Sequence, residues 1–555
     1  MPQIEFRLTS SLEKCFWDTP PYCLPALTRA SALRGETFSF QLAWRGTDCT
    51  VNAKQVVFLR VESPLAGCVH ASSVESVAVR HVTNRTRYDG NYLRLPPGLY
   101  PDLFIPADEK KQLYVAYNDT RALWFDVEIP EDAEAGETPV TVVLAGEDGT
   151  EFARATLTLN VIGATLPKQT LCHTEWFHAD CLADYYRVPV WSEEHWRIVE
   201  NFVRYAVSHG INMILTPVFT PPLDTAVGGE RTTVQLVGVR CTGGKWSFDF
   251  SLLGRWIEML DRCGVEYLEI SHLFTQWGAA HAPKIIADVD GETKRVFGWE
   301  TDSLSEEYTG FLDAFLPELI AFLREHGADR RSYFHVSDEP GLHHLERYRA
   351  VRAVLERHLS GYHIMDALSN IQFYKTGALD HPISASDHIG PFLEENVPGL
   401  WTYYCGGQSV GVSNRFLAMP GARTRIIGLQ MYKYRIEGFL QWGYNFYNSM
   451  YSVSHIDPYQ CNDGEYFVPA GDAFAVYPAP DGTPYETLHY RQFEEGLTDM
   501  RALALAESLI GREAVLSIID CLPDGELTFS NYPADASYLL GVREKINAAI
   551  AAAIR

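Results

Sequence analysis

Apolar and polar residues alternate with a period of two along Thr37-Phe38-Ser39-Phe40-Gln41-Leu42-Ala43-Trp44, and again along Ala153-Arg154-Ala155-Thr156-Leu157-Thr158-Leu159-Asn160-Val161. This is the pattern of strands that bury one face. The turn cluster Gly146-Glu147-Asp148-Gly149 precedes the second run and reads as a hairpin connection. Together these features predict an N-terminal antiparallel β-sandwich over residues 1–165, with residues 163–168 leading out of it.

From about residue 170 the pattern changes to alternating strands and helices. Strand-like runs start near Cys172, Asn212, Tyr267, Tyr333, His363, Ile383, Leu400 and Gly438. Helical periodicity spans 192–209, 303–326 and 343–359. In the first of these Ser192 is placed to cap the N-terminus and Glu194 lies in the first turn. Strands alternating with helices over 170–510 predict an α/β fold, a (β/α)8 TIM-like barrel. An open doubly wound sheet is the alternative, but no GxGxxG follows a first strand. Residues 511–555 read as a helical C-terminal appendage. No internal repeat interrupts this plan.

The chain has 555 residues, too many for one ordinary core. Its net charge of −25 disfavours nucleic acid and anionic membranes as partners. No apolar run reaches membrane-spanning length. The start MPQIEFRLTSSLEKCF lacks the basic and apolar segments of a secretory signal. The 11 cysteines include no CxxC pair, which points to free thiols and a cytoplasmic location. Aromatic residues make up 12%, a supply that a sugar-binding cleft or a large core would each use.

The segment Ser332-Tyr333-Phe334-His335-Val336-Ser337-Asp338-Glu339-Pro340 is a short apolar strand that stops at two adjacent carboxylates. Barrels carry their chemistry at that end of a strand. Neighbouring carboxyls titrate apart, which leaves one as an acid and one as a charge, the division of labour that glycoside cleavage needs. The plain alternative is an acidic N-cap for the helix starting near His343. Consecutive residues straddle a sugar ring poorly. They suit a mechanism in which the substrate's 2-acetamido oxygen is the nucleophile.

Four further segments accompany this one. They are Leu215-Thr216-Pro217-Val218-Phe219-Thr220-Pro221-Pro222-Leu223-Asp224-Thr225, Ser271-His272-Leu273-Phe274-Thr275-Gln276-Trp277-Gly278, Gly438-Phe439-Leu440-Gln441-Trp442-Gly443-Tyr444-Asn445 and Glu495-Gly496-Leu497-Thr498-Asp499. With Ser337-Asp338-Glu339-Pro340, and in this order, they make the chain resemble glycoside hydrolase family 123, the β-N-acetylgalactosaminidases and the wider group sharing that catalytic domain. The resemblance covers nearly the whole chain. It implies a β-sandwich followed by a (β/α)8 barrel. It also implies that Asp338 orients the acetamido group and stabilises the oxazolinium, and that Glu339 is general acid and then base.

The expected activity is removal of a terminal β-linked 2-acetamido sugar, N-acetylgalactosamine, with retention through an oxazoline. The expected partner is an oligosaccharide or glycoconjugate, with no cofactor or metal. The alternatives are a glycosidase of different specificity, with a third carboxylate at Asp180, Glu269 or Asp387, and a non-catalytic carbohydrate-binding protein.

Residues at the predicted strand ends supply the expected sugar contacts: Trp176 and His178 after strand one, His272 and Trp277 after strand three, Tyr403 on strand seven, and Trp442 and Asn445 on strand eight. His335 reads as a satisfied barrel-interior histidine. Asp224 and Arg231 lie in a loop that either closes over substrate or forms a surface ion pair pinning the hairpin at 234–250. Gly407-Gln408-Ser409-Val410-Gly411 matches the GxSxG nucleophile pattern, but no clear helix opens at Ser409. His343-His344 face different directions on a helix and make poor joint metal ligands.

Overall fold

A computed structural model describes residues 4–47, 55–108, 110–523 and 525–554. The predicted units 1–165 and 511–555 thus each include positions outside the described residues. The alternating runs form strands Thr37–Gly46 and Glu151–Thr165. Two five-stranded sheets pack face to face. One runs in the order Ile4–Ser10, Thr37–Gly46, Arg121–Glu128, Val69–Val79 and Gly98–Pro106. The other runs Arg29–Arg34, Glu151–Thr165, Gly136–Ala145, Gln55–Glu62 and Leu113–Val115. Phe40, Leu42 and Trp44 from the first meet Leu157, Leu159 and Val161 from the second in one core. Burying each large side chain contributes roughly 1.5–3 kcal/mol. The expectation of a wholly antiparallel sandwich needs one correction. Arg29–Arg34 pairs in parallel with Glu151–Thr165. The intervening residues cross between the sheets, so no hairpin constrains that pair to be antiparallel.

Eight strands close a barrel in chain order: Cys172–Glu175, Met213–Thr216, Tyr267–Ile270, Ser332–Phe334, His363–Leu368, His381–Ala385, Trp401–Tyr403 and Gly438–Gln441. All pairings are parallel, and the first strand pairs with both the second and the eighth. Gly438 is required where strands seven and eight meet, since a Cβ there would lie 2.0 Å from the Trp401 ring. The helices fall where the periodicity put them. Glu193–Ser208 is capped by the Ser192 hydroxyl, which accepts the His195 N–H, and buries Trp196, Val199, Phe202, Val203 and Ala206. Glu306–Glu325 follows the N-cap Ser305. Leu345–Leu359 begins after a 3₁₀ turn, Leu342–His344, in which His344 Nδ1 accepts the Gly341 N–H. The His343-His344 pair therefore belongs to a turn.

Helix Leu488–Ile510 follows the eighth strand, and Arg512–Ile519 and Ala536–Ala553 come after it. Their apolar faces share a core with Leu12, Leu33 and Ile162 of the sandwich and with Ile426 and Leu429 of the barrel. Arg543 bonds both Glu36 and Asp499 across this junction. The C-terminal helices thus wedge sandwich and barrel together. The ten cysteines among the described residues are all free thiols. No helix among the described residues is long and apolar enough to cross a membrane.

Candidate active site

The fourth barrel strand leaves its ladder at Phe334, four residues before Asp338. The chain continues upward because neighbouring groups hold it. Asp366 on strand five accepts the N–H groups of Val336 and Ser337. The Ser337 hydroxyl donates to the Thr275 carbonyl, and the Asp338 carbonyl accepts the Trp277 N–H at 2.8 Å. Glu339 then turns into the left-handed region at φ 42°, with its N–H on the Ala367 carbonyl. A non-glycine residue persists there only where its surroundings over-determine it. The turn breaks the strand's alternation and brings two consecutive carboxylates to one mouth.

The two carboxyls sit in different settings. Asp338 is buried. Burial pushes its carboxyl well above the usual carboxylate range, and the charges of Glu339, Asp224 and Asp366 add to the push. Glu339 is open to solvent, and its carboxylate accepts the Tyr403 hydroxyl at 2.5 Å. The protein atoms crowding the mouth raise its carboxyl, the Tyr403 bond opposes this, and Asp387 adds to it. Water at the mouth limits the size of that rise.

Beneath the pair lies a buried ion network. His335 Nδ1 meets Asp366 Oδ1 at 3.1 Å, and Nε2 meets Glu269 Oε1 at 2.8 Å. Glu269 also accepts the Trp176 indole N–H and the Thr174 hydroxyl. Asp366 accepts the Tyr348 hydroxyl at 2.5 Å. Burial by itself would lower the His335 pKa, but hydrogen bonds to Asp366 and Glu269 outweigh it and hold the imidazole at about 9. His335 is therefore an imidazolium between two carboxylates at neutral pH. His272, His335 and Asp366 do place ligand atoms within 4.8 Å of one another. Both His335 nitrogens are committed as donors, however, so the cluster is an ion network rather than a ready metal site.

This network predicts a pH dependence of stability. The folded His335 value of about 9 lies above the ordinary histidine value of about 6.5. Its stabilisation is complete below pH ~6.5 and is lost as pH rises through about 9. The loss is on the order of 3 kcal/mol. Urea unfolding between pH 6 and 10 should show this fall, and His335→Gln should flatten it. An equally steep fall in the variant would refute the assignment.

Around the mouth stand residues from other strands. Trp442 donates its indole N–H to Asp472 at 3.0 Å. Burial raises the Asp472 carboxyl to about 7 against that bond and the charge of Arg415. Trp277, exposed at φ 57°, packs edge-on to exposed Tyr451 with ring centroids 5.6 Å apart. Asp224, at φ 46°, has its N–H bound by Gln276 Oε1 and its carbonyl bound by the Ser452 hydroxyl. The mouth thus has Glu339 and Asp224 at its rim, buried Asp338 and Asp472 behind them, and exposed aromatic faces beside them, the furnishings of a carbohydrate site.

The sequence pattern of "Glycoside hydrolase 123, catalytic domain" matches residues 176–506, more than half the chain. The protein belongs to glycoside hydrolase family 123. A family 123 glycoside hydrolase from Clostridium perfringens, described for glycolipid glycan hydrolysis, has the same fold. Its TM-score is 0.75 at 16% identity, covering 99% of this chain and 98% of that one. An endo-β-1,4-mannanase from Thermotoga petrophila aligns at TM-score 0.33 and 10% identity, over 60% of this chain and 77% of its own, too distant to carry an argument. Comparison with curated proteins finds no match. Family 123 membership makes the protein a glycoside hydrolase with a glycan substrate.

In this family 123 enzyme the predicted residues divide into three sets. Asp338, Glu339, Tyr403 and Trp277 gather at the mouth, with Trp442 reaching it through Asp472. Trp176 and His272 lie one layer below. Trp176 bonds Glu269, and the His272 ring stacks on His335 with centroids 4.1 Å apart. His178 and Asn445 clasp the seam between strands one and eight. Asn445 Oδ1 accepts the His178 N–H, and its amide donates to the His178 carbonyl. The His178 ring accepts from Arg231 and donates to the Trp442 carbonyl. Burial, then the Arg231 charge, lowers its pKa to about 3, which keeps it neutral.

Of the two alternatives for the loop carrying Asp224 and Arg231, closing over substrate or forming a surface ion pair, the second is not what Arg231 does. Arg231 is buried and grips Asp180 with Nε at 2.7 Å and Nη2 at 2.8 Å. That pairing and the Glu269 network occupy two of the three proposed alternative carboxylates. The third, Asp387, accepts Gln408 at 2.9 Å and His388 at 2.7 Å. Ser409 of the GxSxG match is buried, donates to the Arg87 carbonyl, and opens no helix. Sequence reasoning missed Asp472, Tyr451 and Asp366. Asp366 sits within a strand, where the one available signal was a lone acid in the apolar run His363–Leu368.

Proposed function

We propose that this family 123 glycoside hydrolase removes a terminal β-linked 2-acetamido sugar, N-acetylgalactosamine, with retention through an oxazoline. The observation that carries the reading is the adjacency of Asp338 and Glu339 at the end of strand four, where Glu339 takes a left-handed turn and its charge acts on the Asp338 carboxyl. Adjacent groups cannot flank an anomeric carbon from two sides at the spacing a two-carboxylate mechanism needs. They can act on two neighbouring atoms of one substrate. Asp338 holds the acetamido N–H, and the acetamido oxygen attacks C1. Glu339 protonates the departing oxygen and then deprotonates the water that opens the oxazoline. The commitment of Asp180, Glu269 and Asp387 to protein partners supports this reading over one with a nucleophile drawn from among them. A glycolipid or other glycoconjugate is the expected natural substrate class.

The test is a panel of 4-nitrophenyl α- and β-glycosides together with a thiazoline analogue of the oxazoline. Cleavage restricted to β-linked 2-acetamido sugars, and inhibition by the thiazoline well below the substrate KM, is the expected result. Cleavage of a sugar lacking the acetamido group, with no thiazoline inhibition, would refute the mechanism. Asp338→Asn should lower kcat by about 10²-fold or more, since it removes charge that strengthens in the transition state. Activated and unactivated leaving groups should suffer alike, because Asp338 acts at the acetamido group.

A further inference from the structure

We infer that Asp224 is a substrate-contacting, specificity-determining residue, which accepts hydrogen bonds from the 4- and 6-hydroxyls of the sugar held at Asp338–Glu339. This rests on the proposed location of the sugar at that pair.

Three observations carry it. First, the backbone of Asp224 is strained and held from several sides. Its φ of 46° is left-handed, its N–H is bound by Gln276 from the strand-three loop, and its carbonyl is bound by Ser452 from the strand-eight loop. The Gln276 amide also donates to the Thr225 carbonyl, and the Ala226 N–H donates to the Tyr451 carbonyl. Three loops thus hold the backbone that carries one acidic side chain, and strain of this kind collects at functional sites. Second, among the described residues the carboxylate has no hydrogen-bond partner. Arg231, the nearby cation, spends its guanidinium on Asp180, His178 and the Leu223 carbonyl. A partly buried carboxylate without a donor is costly unless a ligand supplies one. Gln276, which binds the Asp224 N–H, precedes Trp277, whose own N–H bonds the Asp338 carbonyl, so Asp224 is tied to the strand-four mouth. Burial raises the Asp224 carboxyl to about 7 despite Arg231, with Glu339 and Asp472 adding to the rise. Third, Gln276 precedes Trp277, and Tyr451 precedes Ser452. The two residues that bind the Asp224 backbone therefore adjoin the exposed Trp277–Tyr451 pair. An aromatic face for C–H groups beside a free acceptor for hydroxyls is how proteins hold a sugar ring.

Strand two lies two barrel positions from strand four. With Asp338 and Glu339 at the C1–C2 edge of the ring, an acceptor a quarter turn away on the eight-strand rim meets a flanking edge, to which the 4- and 6-hydroxyls are assigned. A carboxylate can take both hydroxyls there, one on each oxygen.

The experiment compares wild type, Asp224→Asn and Asp224→Glu on the nitrophenyl glycoside that wild type cleaves, and on its 4-deoxy and 6-deoxy forms. Circular dichroism melting checks that each variant folds. Asp224→Asn should lower kcat/KM by about 10- to 100-fold on the full sugar, the range of one or two hydrogen bonds to a charged group. The loss should shrink to less than about 3-fold on the deoxy substrate that lacks the bonded hydroxyl. Asp224→Glu should recover part of the activity. An equal loss on full and deoxy sugars, or no loss at all, would overturn the inference. Failure of the proposed function reads out separately, as wild type cleaving only sugars without an acetamido group. The Asp224 comparison would then run on that sugar, and a deoxy-selective loss would still count for the inference.

Discussion

Glu339→Gln should lower kcat/KM by about 10²- to 10⁴-fold on glycosides whose leaving group needs a proton. Glutamine keeps the shape and can still meet the Tyr403 hydroxyl, but it cannot deliver a proton. The defect should shrink for nitrophenyl leaving groups, which depart as stable anions. That contrast separates lost acid catalysis from a collapsed site, since a misfolded variant would fail on every substrate. The same roles fix the pH profile. Glu339 works protonated, and its carboxyl is raised, so activity should persist toward neutrality and fall as pH rises through its pKa. Asp338 works ionised, and its carboxyl is raised too, so activity should fall as pH drops. Both limbs should lie at higher pH than ordinary carboxyls would give, because both carboxyls are raised. The two apparent values belong to the pair. Glu339→Gln should erase the alkaline limb, and an unchanged limb would assign the acid elsewhere.

Asp366→Ala should destabilise the protein by about 3–5 kcal/mol, the cost of removing one partner from a buried ion pair. Asp366 is wholly buried and serves His335, Tyr348 and the N–H groups of Val336 and Ser337 together. Alanine leaves a half-paired imidazolium and orphaned donors. It also frees the segment that aims Asp338 and Glu339, so kcat should fall along with stability even where the protein remains folded. Asp366→Asn, which keeps an acceptor for the strand-end amides, should lose less on both counts. Urea melts at pH 7 measure the first effect and nitrophenyl kinetics the second. A stability loss under 1 kcal/mol would show that the network is not what holds the strand end.

Much of this molecule was legible along the chain. Two-residue alternation at Thr37–Trp44 and the helical stripe in 192–209 are local signals, because burial on one face must repeat with the geometry of the element that forms. The eight strand starts were legible for the same reason, and the Asp338-Glu339 pair stood out as charge at the end of an apolar strand. Contacts between distant segments were not legible. The parallel pairing of Arg29–Arg34 with Glu151–Thr165 depends on where a long connection returns, which no local pattern encodes. Nor could spacing tell that Arg231 would choose Asp180 over Asp224. Both acids lie within reach of it, and the choice is made by which of them the fold buries beside it.

The sequence by itself determined the strand and helix order, the barrel-like alternation and the position of two neighbouring carboxylates. Each is a property of a short stretch of chain and its solvent preference. Only the tertiary structure decided what those carboxylates face. It set Glu339 in a left-handed turn against Tyr403, and placed a His335 imidazolium beneath Asp338. It sent His178 and Asn445 into a seam, and left the Asp224 carboxylate without a hydrogen-bond partner among the described residues while its backbone is held by Gln276 and Ser452. Those outcomes depend on burial and electric fields assembled from residues hundreds of positions apart, and such fields exist only once the barrel has closed.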